Sequence, residues 1–223
     1  MSPLRRTAIL AGALYLLTFV SIPTLALYGP VHDSKYIVGP GPDTGVIVGA
    51  ILEMIVALAG IGTAVVLFPV VKRQNEAVAL GLVGSRVLEA ATIFVGVACL
   101  LSVVSLRQAG AGAAGLVTAQ ALVALYDRMF LVGQSVMPAV NGLLLGSLLY
   151  QSRLVPRVLP LLAFIGAGLL VASDLGVLFS FWGQRSSVAG LLALPIALWE
   201  FSLGVYLVVK GFKPNSMLSF PAN

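Results

Sequence analysis

The sequence predicts an all-α polytopic membrane bundle of six transmembrane helices with both termini cytoplasmic, and three observations carry that prediction. Of 223 residues, 59% are hydrophobic and 9% charged, and mean hydropathy is +1.05; a water-soluble domain needs far more charge on its surface. The apolar residues fall into six runs long enough to cross a bilayer, separated by short segments rich in glycine, proline or charge. The basic residues, finally, are unevenly divided between alternate connections.

The first apolar run spans about 7–28 and follows Arg5 and Arg6. Thr24-Leu25-Ala26 loosely resembles a signal-peptide cleavage site, but the run is long and further spans follow, so it is assigned as a retained anchor helix. Gly29 to Asp43 has the Gly, Pro and Asp content of a loop and carries the only histidine, His32, expected as an ordinary loop residue. The second helix spans 44–70 and turns through Lys72, Arg73, Gln74 and Asn75 into the third, 77–106; GAGAAG at 110–115 breaks the chain again. The fourth, 116–150, exceeds the roughly 20 residues a bilayer requires, so its first turns are expected at the interface. QSRLVPR leads into the fifth, 158–181; Trp182 to Arg185 forms a tight loop; the sixth spans 186–209 and is followed by Lys210, Lys213 and a short polar tail.

Six spans place both termini on one side. That side carries Arg5, Arg6, Lys72, Arg73, Arg153, Arg157, Lys210 and Lys213, and the other carries Lys35, Arg107 and Arg185. Eight against three assigns the termini and the two basic turns to the cytoplasm, and the protein to the cytoplasmic membrane. Anionic lipid headgroups are the natural neighbours of those turns. The basic residues form no stripe interleaved with aromatics, so nucleic acid is not expected as a partner.

GIGTAVVLFPVVKRQNEAVALGLVGSRVLEA, from Gly60 to Ala90, and LLLGSLLYQSRLVPRVLPLLAFIGA, from Leu143 to Ala167, resemble bacterial multi-pass membrane proteins grouped as a domain of unknown function. The resemblance covers nearly the whole chain. It implies a six-helix integral membrane protein and transfers no catalytic residue.

Seven ionisable residues lie inside or beside the spans: Glu53, Arg86, Glu89, Asp127, Arg128, Asp174 and Glu200. A charge at a helix centre costs about 2–3 kcal/mol or more by insertion scales, so these side chains are expected to face the bundle. At about 1.5 Å per residue, Arg86 lies some 13 Å beyond the start of the third helix, and Glu200 is similarly deep from the end of the sixth. Depth therefore pairs Arg86 with Glu200, with Glu89, one turn along the same helix, as a competing partner. The same arithmetic puts Glu53 and Asp174 in the other half, with Arg128 as the nearby cation. Glu53 and Glu200 sit in stripes of small residues: Gly49, Ala57, Gly60 and Ala64 around the first, Ala193, Ala197 and Gly204 around the second. Asp127, Gln134 and Asn141, at heptad intervals, form a third polar stripe that can line a cavity, with Pro138 opening the backbone.

Several chemistries lack their residues. One cysteine, Cys99, excludes an intramolecular disulfide and a cysteine-held zinc or iron–sulfur site within the chain. One histidine cannot supply a bis-histidine haem, and in a loop it gives an intramembrane serine no base. Asp127 and Asp174 remain as an aspartyl dyad, but ASDLG lacks the glycine-x-glycine-aspartate signature of intramembrane aspartyl proteases. No cofactor is called for, and an enzyme is the least supported class. Two readings stand: a protein that binds or transports a proton, a cation or a small cationic or amphipathic molecule through an acidic intramembrane cavity, and a non-catalytic scaffold or partner subunit whose buried ion pairs hold the bundle.

Overall fold

The computed structural model describes residues 1–33 and 35–213; the polar tail lies outside the described residues. The described chain is helical without strands: α1 (Pro3–Leu17), α2 (Thr24–Leu27), α3 (Thr44–Val71), α4 (Glu76–Gln108), α5 (Leu116–Phe130), α6 (Met137–Ser152), α7 (Val158–Leu178) and α8 (Ser187–Val209). They make six apolar spans, the first running Pro3–Leu27 through α1 and α2 and the fourth Gly112–Ser152 through α5 and α6. Ser2, Asn75 and Ser186 begin α1, α4 and α8 with their side chains accepting from the amides of Arg5, Val78 and Ala189. Asp43 stands at the same position before α3 and makes no capping bond, because its carboxylate is taken elsewhere.

The spans form a closed ring in chain order. α1 packs against α3 and α8, α3 against α4, α4 against α5 and α6, α6 against α7, and α7 against α8. Glycine sets the tightest crossings. A Cβ on Gly12 would lie 2.6 Å from the Gly204 carbonyl oxygen, and one on Gly166 would lie 2.6 Å from the Ile196 nitrogen, so α8 is drawn onto α1 and α7 at backbone contact.

The start of α1 and the end of α8 lie at one end of the ring. The Arg5 guanidinium donates to the carbonyls of Leu207, Val208 and Val209 at 3.2, 2.7 and 3.2 Å, closing the last turn of α8. Gln74 donates to Gln151 at 3.2 Å, and the Lys213 amide donates to the Leu154 carbonyl at 2.8 Å, which brings both basic turns to that end. The half of the bundle next to it is filled by Ala11, Leu67, Leu82, Leu145, Leu148, Trp199 and Leu203. At the opposite end a smaller core gathers Tyr28, Val31, Ile37, Leu100, Val103 and Tyr126, with Cys99 buried in it.

Two spans depart from the continuous helices expected of them. After Leu17 the first passes through a 3₁₀ turn, Thr18–Ser21, before α2. Pro23 has no N–H to donate, and the hydroxyls of Thr18, Ser21 and Thr24 bond carbonyls three residues back at 2.7, 3.2 and 2.6 Å. Non-helical backbone is thereby satisfied at membrane depth. In the fourth span, Leu131–Val136 is a π-helix ahead of Pro138. The proline cannot donate to the carbonyl four residues earlier, and the wider turn accommodates that loss. Gly133 lies there against α4, where a Cβ would overlap the Thr92 hydroxyl. α7 ends at Leu178, short of the expected 181; Ser180 takes a left-handed φ of 60°, and Trp182 folds back onto Gly176, where a Cβ would overlap the indole.

Candidate functional site

A cavity of about 680 Å³ lies inside the ring between the first, fourth, fifth and sixth spans. Its floor is Arg86, Glu89 and Glu200, its walls include Phe130, Gln134, Ser135, Leu170 and Asp174, and its mouth, away from the termini, is at Asp127, Gln184 and Arg185. The broken first span contributes Thr18, Phe19, Ile22 and Leu25. Four carboxylates and two guanidiniums line it, a net charge of −2 if all are ionised.

The floor is an ion-pair network, in which Arg86 Nε and Asn141 Oδ1 have no hydrogen-bond partner among the described residues. Arg86, 3% exposed, donates through Nη1 to Glu89 Oε2 at 3.0 Å and through Nη2 to Glu200 Oε1 at 2.8 Å. Glu89 does not compete with Glu200 for the arginine: the two guanidinium ends serve one carboxylate each, which a planar fork allows. Asn141 Nδ2 donates to Glu89 at 2.7 Å, and Tyr15 accepts from Arg86 at 3.4 Å with its ring beneath the guanidinium. The network joins α1, α4, α6 and α8.

Glu53 is fully buried and has no cation beside it among the described residues. Three neutral donors hold it instead: Tyr28 at 3.1 Å, Tyr126 at 2.9 Å and Gln134 at 3.0 Å. Arg128, expected as its neighbour and that of Asp174, is exposed and makes no ion pair among the described residues. Tyr126, Asp127 and Phe130 face the cavity, and at about 100° per residue Arg128 falls outside that face.

Asp174 is equally buried, at 4% exposure, and is far less satisfied. One oxygen accepts from Ser135 at 2.5 Å, and the other, Oδ2, has no hydrogen-bond partner among the described residues. Asp127 stands apart at the mouth, with His32 Nε2 at 3.0 Å and Arg185 Nη2 at 3.7 Å. No hydrogen bond joins Asp127 to Asp174 among the described residues, so the two share no proton as an aspartyl dyad would. His32 is thus more than a loop residue: its Nδ1 lies 2.7 Å from the Tyr28 carbonyl, which only accepts, so the ring donates there. No group of three or more His, Cys, Asp or Glu placed to hold a metal ion occurs among the described residues.

The heptad stripe of Asp127, Gln134 and Asn141 points inward throughout, and each member meets a different partner: His32 and Arg185, Glu53, and Glu89. The sequence does not single out Tyr15, Tyr28, Tyr126 and Ser135, because a hydroxyl in an apolar run looks like packing until its acceptor is known. Outside the cavity, Arg107 takes the Asp43 carboxylate at 2.6 Å, and Tyr36 and Gln108 donate to it at 2.6 and 3.0 Å. The Arg107 hydrogen bond holds the Asp43 carboxyl down to about 2, whereas burial, then Asp43 itself, pushes the Tyr36 phenol up.

Residues 10–211 match a family model described as Domain of unknown function (DUF4386). Comparison with curated proteins gave no match, and neither did comparison with solved structures.

Proposed function

Because the chain belongs to the DUF4386 family, whose description carries no activity, we propose from the chemistry of its own cavity that it binds a small amphipathic molecule bearing a cationic or hydrogen-bond-donating group. The observation that supports this reading is Asp174, a buried carboxyl on the cavity wall with one unpaired oxygen. Buried polar atoms are nearly always paired, and leaving one unpaired costs about 1–3 kcal/mol, which a ligand donor would offset. The acidic excess favours a cation, and Phe19, Phe130, Leu170 and Val177 offer its apolar body a matching wall. In this reading the Arg86 network closes the cavity toward the termini, and any transport requires it to open. The excess of basic residues at that end orients it to the cytoplasm of a cell membrane, so the mouth faces outward.

The alternative reading, a membrane scaffold or partner subunit, is favoured by the self-contained pairing of Arg86 with Glu89 and Glu200. One experiment separates the two. Binding of the naphthylmethylammonium ion, followed by its fluorescence on purified protein, is expected to weaken about tenfold in Asp174→Asn, the loss of one charge-assisted contact of about 1.4 kcal/mol. Equal binding by both proteins, or none by the wild type, favours the scaffold.

A further inference from the structure

Both halves of the first span pack on α3, and they differ in their contact with α8. Its first half is held against α8 by the Gly12–Gly204 approach. Its second half packs on α3: a Cβ at Gly45 would lie 3.2 Å from the Leu27 carbonyl oxygen, and one at Gly49 would overlap the Tyr28 ring. The break at Thr18–Ser21 lets the chain bend away from α8 while it stays on α3. Phe19 touches Phe201 edge to face, with ring centroids 5.4 Å apart. Beyond that contact the first and sixth spans border the cavity from opposite sides, with Ile22 and Leu25 on one margin and Gly190 and Leu194 on the other.

All four margin residues are exposed. Leu194 lies seven residues from the start of α8, about 10 Å along the helix axis, and a hydrocarbon core about 30 Å thick covers that depth. A Cβ at Gly190 meets nothing within 4 Å, so the gap is open there. From this geometry we infer that the cavity opens sideways into the bilayer between the first and sixth spans, and that its ligand is a membrane-dissolved single-chain amphiphile. Its polar or cationic head reaches Asp174 while its chain leaves through the gap beside Ile22, Leu25, Gly190 and Leu194. The inference rests on the proposed binding role of Asp174 and adds the substrate class and the route. Apolar margins are what such a route requires, since a water-borne ligand would use the polar mouth at Asp127, Gln184 and Arg185.

The test uses the full chain in phosphatidylcholine vesicles with hexadecylamine carrying a photoreactive diazirine in its chain, and maps labelled residues by mass spectrometry. Labelling is expected at Ile22, Leu25 and Leu194, and to fall about tenfold, the equivalent of about 1.4 kcal/mol, in both Gly190→Trp and Asp174→Asn. Gly190→Trp fills the gap without touching Asp174; Leu194→Trp serves the same purpose if the first variant melts at a lower temperature. Labelling that moves to Gln184 and Ser186, falls in Asp174→Asn and ignores both tryptophans overturns the lateral route and leaves the binding site standing. Labelling at the margins that falls with tryptophan but not with Asp174→Asn keeps the route and overturns Asp174 as its anchor. No specific labelling overturns both.

Discussion

Arg86 and Asp174 are buried to the same degree in one helix ring and are satisfied in opposite ways. Around Arg86 two carboxylates, an asparagine and a tyrosine form a network that spans four helices and gives each carboxylate a cation, leaving Arg86 Nε and Asn141 Oδ1 without a partner among the described residues. Around Asp174 a single serine serves one oxygen and nothing among the described residues serves the other. The surroundings differ in the same sense: large aliphatic side chains fill the half beside the termini, whereas a broken first span and a π-helical turn border the cavity in the other. Buried charge by itself therefore does not mark a ligand site. A carboxylate paired with a guanidinium inside the protein holds helices together, and a carboxyl without a cation on a cavity wall invites a partner from outside.

Removing Arg86 is expected to have the largest effect. Arg86→Met leaves Glu89 and Glu200 without their cation, and unfolding in detergent should show a loss of about 3–5 kcal/mol. A loss below about 1 kcal/mol would mean that the network does not hold α4 to α8. Glu53→Leu strands the donors of Tyr28, Tyr126 and Gln134, at an expected cost of about 1–3 kcal/mol in the same assay. Glu53→Gln should cost less, because its amide oxygen still accepts.

A smaller effect is expected at the Asp43–Arg107 pair, where it titrates. The Asp43 carboxyl is held down to about 2, so its contribution is fully present above the ordinary aspartate range and is lost as pH falls through that range toward 2. The loss is on the order of 1 kcal/mol after solvent screening. Stability measured from pH 5 to pH 2 should fall less steeply in Arg107→Gln than in the wild type; parallel profiles would deny Arg107 this role. The smallest change in stability, within about 1 kcal/mol, is expected for Asp174→Asn, which keeps an acceptor for Ser135. A loss there as large as that of Arg86→Met would erase the contrast between the two sites.

Much of the Arg86 network was legible in the chain, because depth along straight helices follows from residue count: Arg86 and Glu200 fall at one level in spans that run in opposite directions. That Glu89 shares the arginine was not, since it depends on how the guanidinium is rotated between α4 and α8. Arg128 shows the limit of depth as a guide. It lies at a suitable level and points away, and only the azimuth of α5 reveals this. His32 and Arg185 lie 153 residues apart and meet at the mouth because the ring brings their connections together.

The sequence by itself determined the fold class and the number of spans, because hydropathy and the spacing of breaks are local properties that a bilayer reads directly. It also determined which helix faces carry polar groups, through the periodicity of small and polar residues. Only the tertiary structure decided which of those groups are paired, where the first span breaks, and where the cavity lies. Those outcomes depend on the rotation of each helix and on glycine contacts between spans distant in sequence, such as Gly12 with Gly204 and Gly49 with Tyr28, for which a linear pattern supplies no angle.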